Sequence, residues 1–136
     1  MKIEEIITDS KRLFLGTDVP EDYVVNPYAQ DTPSIYGVAL PISHDEVVQL
    51  VEFAKEENLT IIARGAGTGV AGSQYPIHGN ELIIDVHLMN KIIALDEKTF
   101  TLTVEPGVLV GDIHQFVESR GYLYPPDPAS KHSSIG

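Results

Sequence analysis

Ala63-Arg64-Gly65-Ala66-Gly67-Thr68-Gly69-Val70-Ala71-Gly72-Ser73 is the stretch whose reading decides the fold, and it follows directly on the apolar run Leu59-Thr60-Ile61-Ile62. No other part of the chain is as rich in glycine. Glycine takes positive φ at little steric cost and leaves nearby backbone N–H groups uncovered. Successive bare N–H groups around a tight turn form a concavity suited to anionic oxygens. Each such bond to a charged oxygen contributes roughly 1.5–3 kcal/mol net, so a few of them together could hold a diphosphate. The stretch reads as a phosphate cradle at the end of a strand.

The 136 residues around it suit one domain. A chain of this size buries about two-thirds of its unfolded surface, enough for a core. A net charge of −11 argues against nucleic acid, whose binding rests on Lys and Arg neutralising phosphates. The same acidity repels small anions, but beyond a Debye length of about 8 Å that field is largely screened, so a local cradle can outweigh it. With no cysteine, disulfides and thiolate chemistry are excluded. Met1-Lys2-Ile3-Glu4-Glu5 is a charged opening rather than a signal peptide, and no apolar run has the length of a membrane span. The expectation is a cytoplasmic protein.

Outward from the loop, Ile3, Ile6, Ile7, Leu13 and Phe14 share one face at helical spacing, and Gly16 can stop that helix. Residues 17–35 are punctuated by Pro20, Asn26-Pro27 and Thr32-Pro33, with Tyr23 and Tyr28 tacking the loop to a surface. Tyr36 to Leu40 is a short strand closed by Pro41. Ser43-His44-Asp45-Glu46 is a capping box that opens a helix over 43–57, with Val47, Leu50, Val51 and Ala54 as its buried stripe and Asn58 as its end. Leu59–Ala63 and Leu82–Val86 read as apolar strands. Lys91–Leu95 and Phe100–Val104 read as a pair joined by the turn Asp96-Glu97-Lys98-Thr99. Glu105-Pro106-Gly107 breaks the last strand. Val110, Ile113, Phe116 and Val117 then form the stripe of a final helix capped by Gly121. The expected class is α/β, a small mixed sheet with flanking helices.

Gly67, Gly69 and Gly72 satisfy G-x-G-x-x-G, but the dinucleotide fingerprint requires the loop to open a crossover helix. Tyr75-Pro76-Ile77-His78-Gly79-Asn80 leads straight to a strand instead, which excludes the nicotinamide Rossmann pattern. Gly67 to Gly72 also has Walker-loop spacing, yet Ser73-Gln74 stands where Lys-Ser/Thr is needed, against nucleoside triphosphate hydrolysis.

Arg64-Gly65-Ala66-Gly67-Thr68-Gly69 after an apolar strand resembles the flavin-binding loop of the p-cresol methylhydroxylase and vanillyl-alcohol oxidase superfamily. Further matches occur in the family's order: Pro41 with the capped helix, Asp85 with Met89-Asn90, Glu105-Pro106-Gly107, and Tyr124-Pro125-Pro126-Asp127-Pro128-Ala129-Ser130. They cover residues 38–136 and are similar to the branch of glycolate oxidase flavoprotein subunits and D-lactate dehydrogenases. The resemblance implies that residues 1–35 form an N-terminal helix and loop and that 36–136 form the N-terminal subdomain of an FAD-binding domain. It implies that Gly65, Ala66, Gly67, Thr68 and Gly69 hold the FAD pyrophosphate through backbone N–H groups, with Gly72 and Ser73 extending the cradle. Pro106 and Gly107 would lie along the cofactor, and Asp127, Pro128 and Ser130 with Ile135 and Gly136 near the flavin ring. Relatives with covalent flavin carry histidine where Thr68 stands, so non-covalent FAD is expected. Ser73 and Ser134 stand where the branch has glycine and threonine.

By that resemblance the chain ends at Gly136, short of the second flavin subdomain and of the cap domain that binds a 2-hydroxy acid. No catalytic residue is therefore assigned, and the expectations are weak or absent FAD binding by this chain alone and self-association through uncovered apolar surface. The alternative function is a non-catalytic nucleotide- or partner-binding module. No metal is expected, because the five histidines have no ligand spacing. Asp45-Glu46 and Glu56-Glu57 read as solvated helix-end charges, and Asp112 as a first-turn carboxylate complementing the helix dipole. Asp127 is the one acid with a functional claim. Arg64 could meet phosphate or pair with a carboxylate such as Asp85, the pairing being preferred, and Lys131 and His132 could lie near the anion.

Overall fold

A computed structural model describes residues 2–27 and 33–136. The expectations for Tyr28 and Thr32 lie outside the described residues. The chain divides into two compact units: residues 1–64 with 69–85, and residues 65–68 with 86–136. Among the described residues no helix is long and apolar enough to cross a membrane.

The first unit contains α1 (Ile3–Ile6), β1 (Leu13–Leu15), a 3-10 turn (Gly16–Asp18), α2 (Glu21–Val24), β2 (Gly37–Ala39), α3 (His44–Glu56), β3 (Thr60–Arg64) and β4 (Glu81–Asp85). Its sheet runs β1-β2-β4-β3, with β1 antiparallel to β2 and the other neighbours parallel. Every residue of β2 and β4 is buried, as expected of central strands. The expected helix from Ile3 to Phe14 is corrected. The helix stops at Ile6, where Ile7 turns extended. Asp9 then makes a turn by accepting from the Lys11 amide (2.9 Å) through its carboxylate and from the Arg12 amide through its carbonyl, and Leu13–Leu15 pair with β2. A helical spacing of apolar residues cannot exclude a helix followed by a strand, because five positions fit both. The Leu59–Ala63 run forms a strand at the sheet edge, with Ile61 39% exposed.

Helix α3 is N-capped by Ser43, whose hydroxyl accepts from the Glu46 amide. Glu46 does not complete the box on Ser43. Its carboxylate accepts from the Ile42 amide (2.8 Å) and takes a two-pronged pair with Arg12 (2.8 and 3.1 Å), which corrects its reading as a solvated charge. The buried stripe is Leu50, Phe53 and Ala54, while Val51 is exposed. Asn58, at φ 54°, ends the helix with Asn58 N–H on the Lys55 carbonyl and Leu59 N–H on the Ala54 carbonyl, a Schellman closure with asparagine in the left-handed position.

The second unit contains the antiparallel hairpin β5 (Ile92–Asp96) and β6 (Thr101–Val104), then α4 (Val110–Glu118). The hairpin is thus a separate two-stranded sheet rather than part of one mixed layer. Asp96 accepts from the Lys98 and Thr99 amides and so builds the turn. Val108, Ile113 and Val117 form the core, with Phe116 only partly buried beside them. Gly121, at φ 81°, ends α4 as expected. The proline-rich tail has no helix or strand, and its end folds back. Carbonyls of Lys131 and Ser133 accept from the first α4 amides, Gly111 and Val110, and Ile135 N–H donates to the Val108 carbonyl.

Candidate functional site

The glycine loop is divided: Gly65–Thr68 belong to the second unit, whereas Arg64 and Gly69–Ser73 belong to the first. In the second unit the loop is held by the C-terminal tail. The Ala66 amide donates to Ser134 Oγ (2.9 Å), Ser134 Oγ donates to the Gly136 carbonyl (2.8 Å), and the Thr68 and Ser133 hydroxyls bond to each other (2.8 Å). A Cβ at Gly65 would collide with Ser134 Oγ and the Gly136 carbonyl oxygen, so that glycine is needed for close approach. Gly67 is needed for its φ of 70°. Among the described residues the amides of Gly65 and Thr68 donate to no protein acceptor.

Gly107 is closed in from another side. Its N–H donates to the Met89 carbonyl (2.7 Å), and a Cβ there would strike the carbonyl oxygens of Val86 and Met89. Gly136 N–H donates to the Pro106 carbonyl (2.8 Å), which brings Pro106, Ile135 and Gly136 together. Ala66 and Gly107 line one cleft of about 460 Å³ with His87, Asn90, Leu109 and Asp112. Asp112 sits in the first turn of α4, as expected, and also faces this cleft. His87 was not foreseen at the site. Its only signal was its place in the turn between strand β4 and Met89-Asn90.

Asp127, Pro128 and Ser130 lie further along the tail of the same unit. Asp127 is exposed, and Ser130 contributes its carbonyl to the Ser133 amide (3.2 Å). Lys131 and His132 are exposed too, Lys131 being engaged through its carbonyl at α4. A second groove of this unit, about 470 Å³, is lined by apolar side chains including Leu95, Leu102, Val104 and Val117. The cleft at Ala66 and Gly107 differs from it in carrying the polar side chains of His87, Asn90 and Asp112.

In the first unit the expected Arg64–Asp85 pair is replaced. The Arg64 guanidinium lies over the Tyr23 ring, 4.4 Å from its centroid, and donates to the Asp22 carbonyl (3.1 Å). The buried Asp85 carboxylate instead accepts from Tyr23 O–H (2.7 Å). Burial, and then this bond to a carboxylate, raise the Tyr23 pKa well above its ordinary value of 10.0. Tyr23 therefore does tack its loop down, as its position suggested. Gly69 has room for a side chain, its would-be Cβ being 3.9 Å from Gln74 Oε1, while Gly72 is held at φ 82°. Ser73 is exposed.

Sequence reasoning gave Glu81 no role. It is buried at the head of β4, and its carboxylate accepts from the amides of Ile77 (2.8 Å), His78 (2.5 Å) and Gly79 (2.7 Å). Burial pushes its pKa up, but the three amide bonds outweigh that and hold it below 4.5. The available signal was an acid directly after a Gly-Asn turn and directly before an apolar strand.

The second unit thus brings together the Gly65 and Thr68 amides, the Thr68, Ser133 and Ser134 hydroxyls and a cleft lined by His87, Asn90 and Asp112. The comparisons with known proteins give the family. Residues 35–136 match the family described as FAD binding domain, so the chain belongs to it. D-lactate dehydrogenase of Anaerostipes hadrus is 34% identical over 132 residues, a match covering 93% of this chain and 26% of that protein. Glycolate oxidase subunit GlcD of Bacillus subtilis is 38% identical over 115 residues, covering 84% and 24%. The chain thus spans about a quarter of the length of these relatives. The structure of p-cresol methylhydroxylase with substrate bound superposes with a TM-score of 0.72 at 21% identity, over 88% of this chain and 24% of that one. The fold is therefore that of these flavoproteins' FAD-binding region, and FAD is the cofactor of the family.

The residues of the second unit fit such a cofactor. Glycine at 65, 67 and 107 leaves the backbone without side chains, and a neutral hydroxyl sits on the Ala66 amide.

Proposed function

We propose that this chain is the N-terminal FAD-binding portion of a flavin-dependent dehydrogenase or oxidase acting on a 2-hydroxy acid of the glycolate or D-lactate type. The observation that carries the reading is the loop Gly65–Thr68, where among the described residues the Gly65 and Thr68 amides meet no protein acceptor and tail hydroxyls bond the Ala66 amide and the Thr68 side chain. These amides and the Thr68 hydroxyl would hold the diphosphate non-covalently, and Gly107 and Pro106 would let the ligand approach the backbone closely. Asp127, Pro128, Ser130, Ile135 and Gly136 would border the ring. FAD, when bound, supplies a hydride acceptor for the substrate α-carbon, and the protein supplies position and electrostatics. Residues 36–136 would be the first subdomain of the cofactor domain, with residues 1–35 preceding it. A cytoplasmic location belongs to the same proposal.

Ligand sites bury 70–90% of a small ligand, and the cleft of this chain is open, so FAD binding by the 136 residues alone should be weak. Titration of the isotopically labelled chain with FAD and with ADP tests the reading. Amide shifts at Gly65–Thr68 and Gly107 that saturate at high ligand concentration are expected. Shifts confined to other residues would overturn it. A flavin-saturated preparation surviving gel filtration would overturn the weak-binding part. The exposed Phe100 and Leu123, each 76% accessible, would favour self-association, and light scattering showing a monomer at high concentration would refute that.

A further inference from the structure

The tail from Leu123 to Ala129 has an unusual problem. Pro125, Pro126 and Pro128 have no N–H, so this stretch cannot join a ladder. Among the described residues, one hydrogen bond reaches any residue of it: His114 Nε2 to the Pro126 carbonyl, 2.8 Å. A carbonyl oxygen only accepts, so Nε2 carries the proton and donates. The same imidazole packs on the Tyr124 ring, centroids 5.6 Å apart and tilted by 56°. His114 stands on the second turn of α4, whose inner face is fixed by Ile113 and Val117 in the core. The imidazole therefore projects from a rigid element and grips the tail at two points, one residue before Asp127.

We propose that His114 is a positioning residue for the cofactor site: it fixes the segment Tyr124–Ser130 against α4, and so sets where Asp127 and Ser130 stand. Its bearing on flavin rests on the FAD reading above; its hold on the tail does not. Without the Nε2 donor, the segment keeps its prolines' stiffness but loses its anchor, and Asp127, exposed and with no partner among the described residues, swings with it.

The test compares His114→Leu, which keeps an apolar side chain on Tyr124 but has no donor, with His114→Gln, whose amide nitrogen can still donate. The first readout needs no ligand. Backbone NMR order parameters at Asp127 and Ala129 should be near the rigid value of about 0.85 in the parent chain, fall below about 0.6 in His114→Leu and recover in His114→Gln. The second readout is the ratio of FAD to ADP affinity, expected to drop by about tenfold or less in His114→Leu, the scale of one lost hydrogen bond, and to return in His114→Gln. Unchanged order parameters in His114→Leu would overturn the proposal. Lowered order with an unchanged affinity ratio would overturn the link to the cofactor site. A parent chain that shifts with neither FAD nor ADP would instead sink the FAD reading, while the order parameters still decide the anchoring.

Discussion

Residues 77–79 and residues 65–68 are both turns in which consecutive amides lie outside any strand ladder, and the chain treats the two differently. At 77–79 the protein supplies its own anion: the Glu81 carboxylate takes three amides at once and is itself buried. At Ala66 and Thr68 it supplies hydroxyls, Ser134 on the Ala66 amide and Ser133 on the Thr68 side chain. Charge-assisted bonds to a carboxylate are about twice as strong as neutral ones, so the first turn is closed and structural. A neutral hydroxyl can rotate away or share, which on the proposed function would leave the Ala66 amide to a ligand that brings its own charge. On the proposed function, the same amide chemistry would yield a brace in one place and a receptor in the other.

The largest effect that could break this comparison is at Glu81. Glu81→Ala removes the acceptor of three amides in one step and should destabilise the first unit by about 2–3 kcal/mol, water relieving part of the loss at the exposed Ile77 and His78. Urea unfolding measures it, and a change below about 0.5 kcal/mol would show that this turn is not braced by its carboxylate. The pH dependence follows from a folded pKa held below 4.5. The contribution is fully present above the unfolded value and is lost as pH falls through the folded one. The stability difference between the parent chain and Glu81→Gln should therefore be constant near neutrality and shrink only below pH 4.5.

How much of this was legible in the sequence varies with the physics involved. The parts carried by glycine were readable, because a bare backbone announces itself: Gly67 and Gly121 take positive φ, and Gly65 and Gly107 sit where a Cβ would collide. The capped start of α3 was readable because Ser43 and its helix are neighbours in sequence. What could not be read were partnerships between distant residues. Arg12 reaches Glu46 across 34 positions, and Tyr23 reaches Asp85 across 62. No local periodicity encodes such pairs, so Glu46 looked solvated and Arg64 looked like the partner of Asp85. The break between α1 and β1 was missed for a related reason: five apolar residues fit a helical face, while the turn made by Asp9 is set by two hydrogen bonds. The division of the glycine loop between two units is likewise a matter of packing, which spacing does not reveal.

The next largest effect sharpens the receptor side. Gly65→Ala must displace Ser134 Oγ or the Gly136 carbonyl, whereas Gly69→Ala meets nothing nearer than Gln74 Oε1 at 3.9 Å. Overpacking of this kind costs about 1–3 kcal/mol. Thermal unfolding should therefore show Gly65→Ala clearly destabilised and Gly69→Ala close to the parent chain. Equal behaviour of the two would mean that the tail does not close on Gly65.

The smallest effect goes to the heart of the comparison, because it asks what the hydroxyl at Ser134 is for. It accepts from the Ala66 amide and donates to the Gly136 carbonyl, so it occupies a donor that an anionic oxygen could use. If it is a stand-in for the ligand, Ser134→Ala removes a competitor and ADP or pyrophosphate affinity should rise about 2–10-fold, the net worth of one neutral hydrogen bond. The rise should be larger at low salt, where charge counts more. Glu81 serves as the control. A carboxylate locked by three amides is no stand-in, so Glu81→Gln should leave anion affinity at Gly65–Thr68 unchanged. A fall in affinity in Ser134→Ala, measured by amide shifts at Gly65 and Thr68, would mean that the hydroxyl donates to the anion itself. The receptor turn would then include a side-chain ligand, and the contrast with 77–79 would lie in the sign of the occupant's hydrogen bond, not only in its charge.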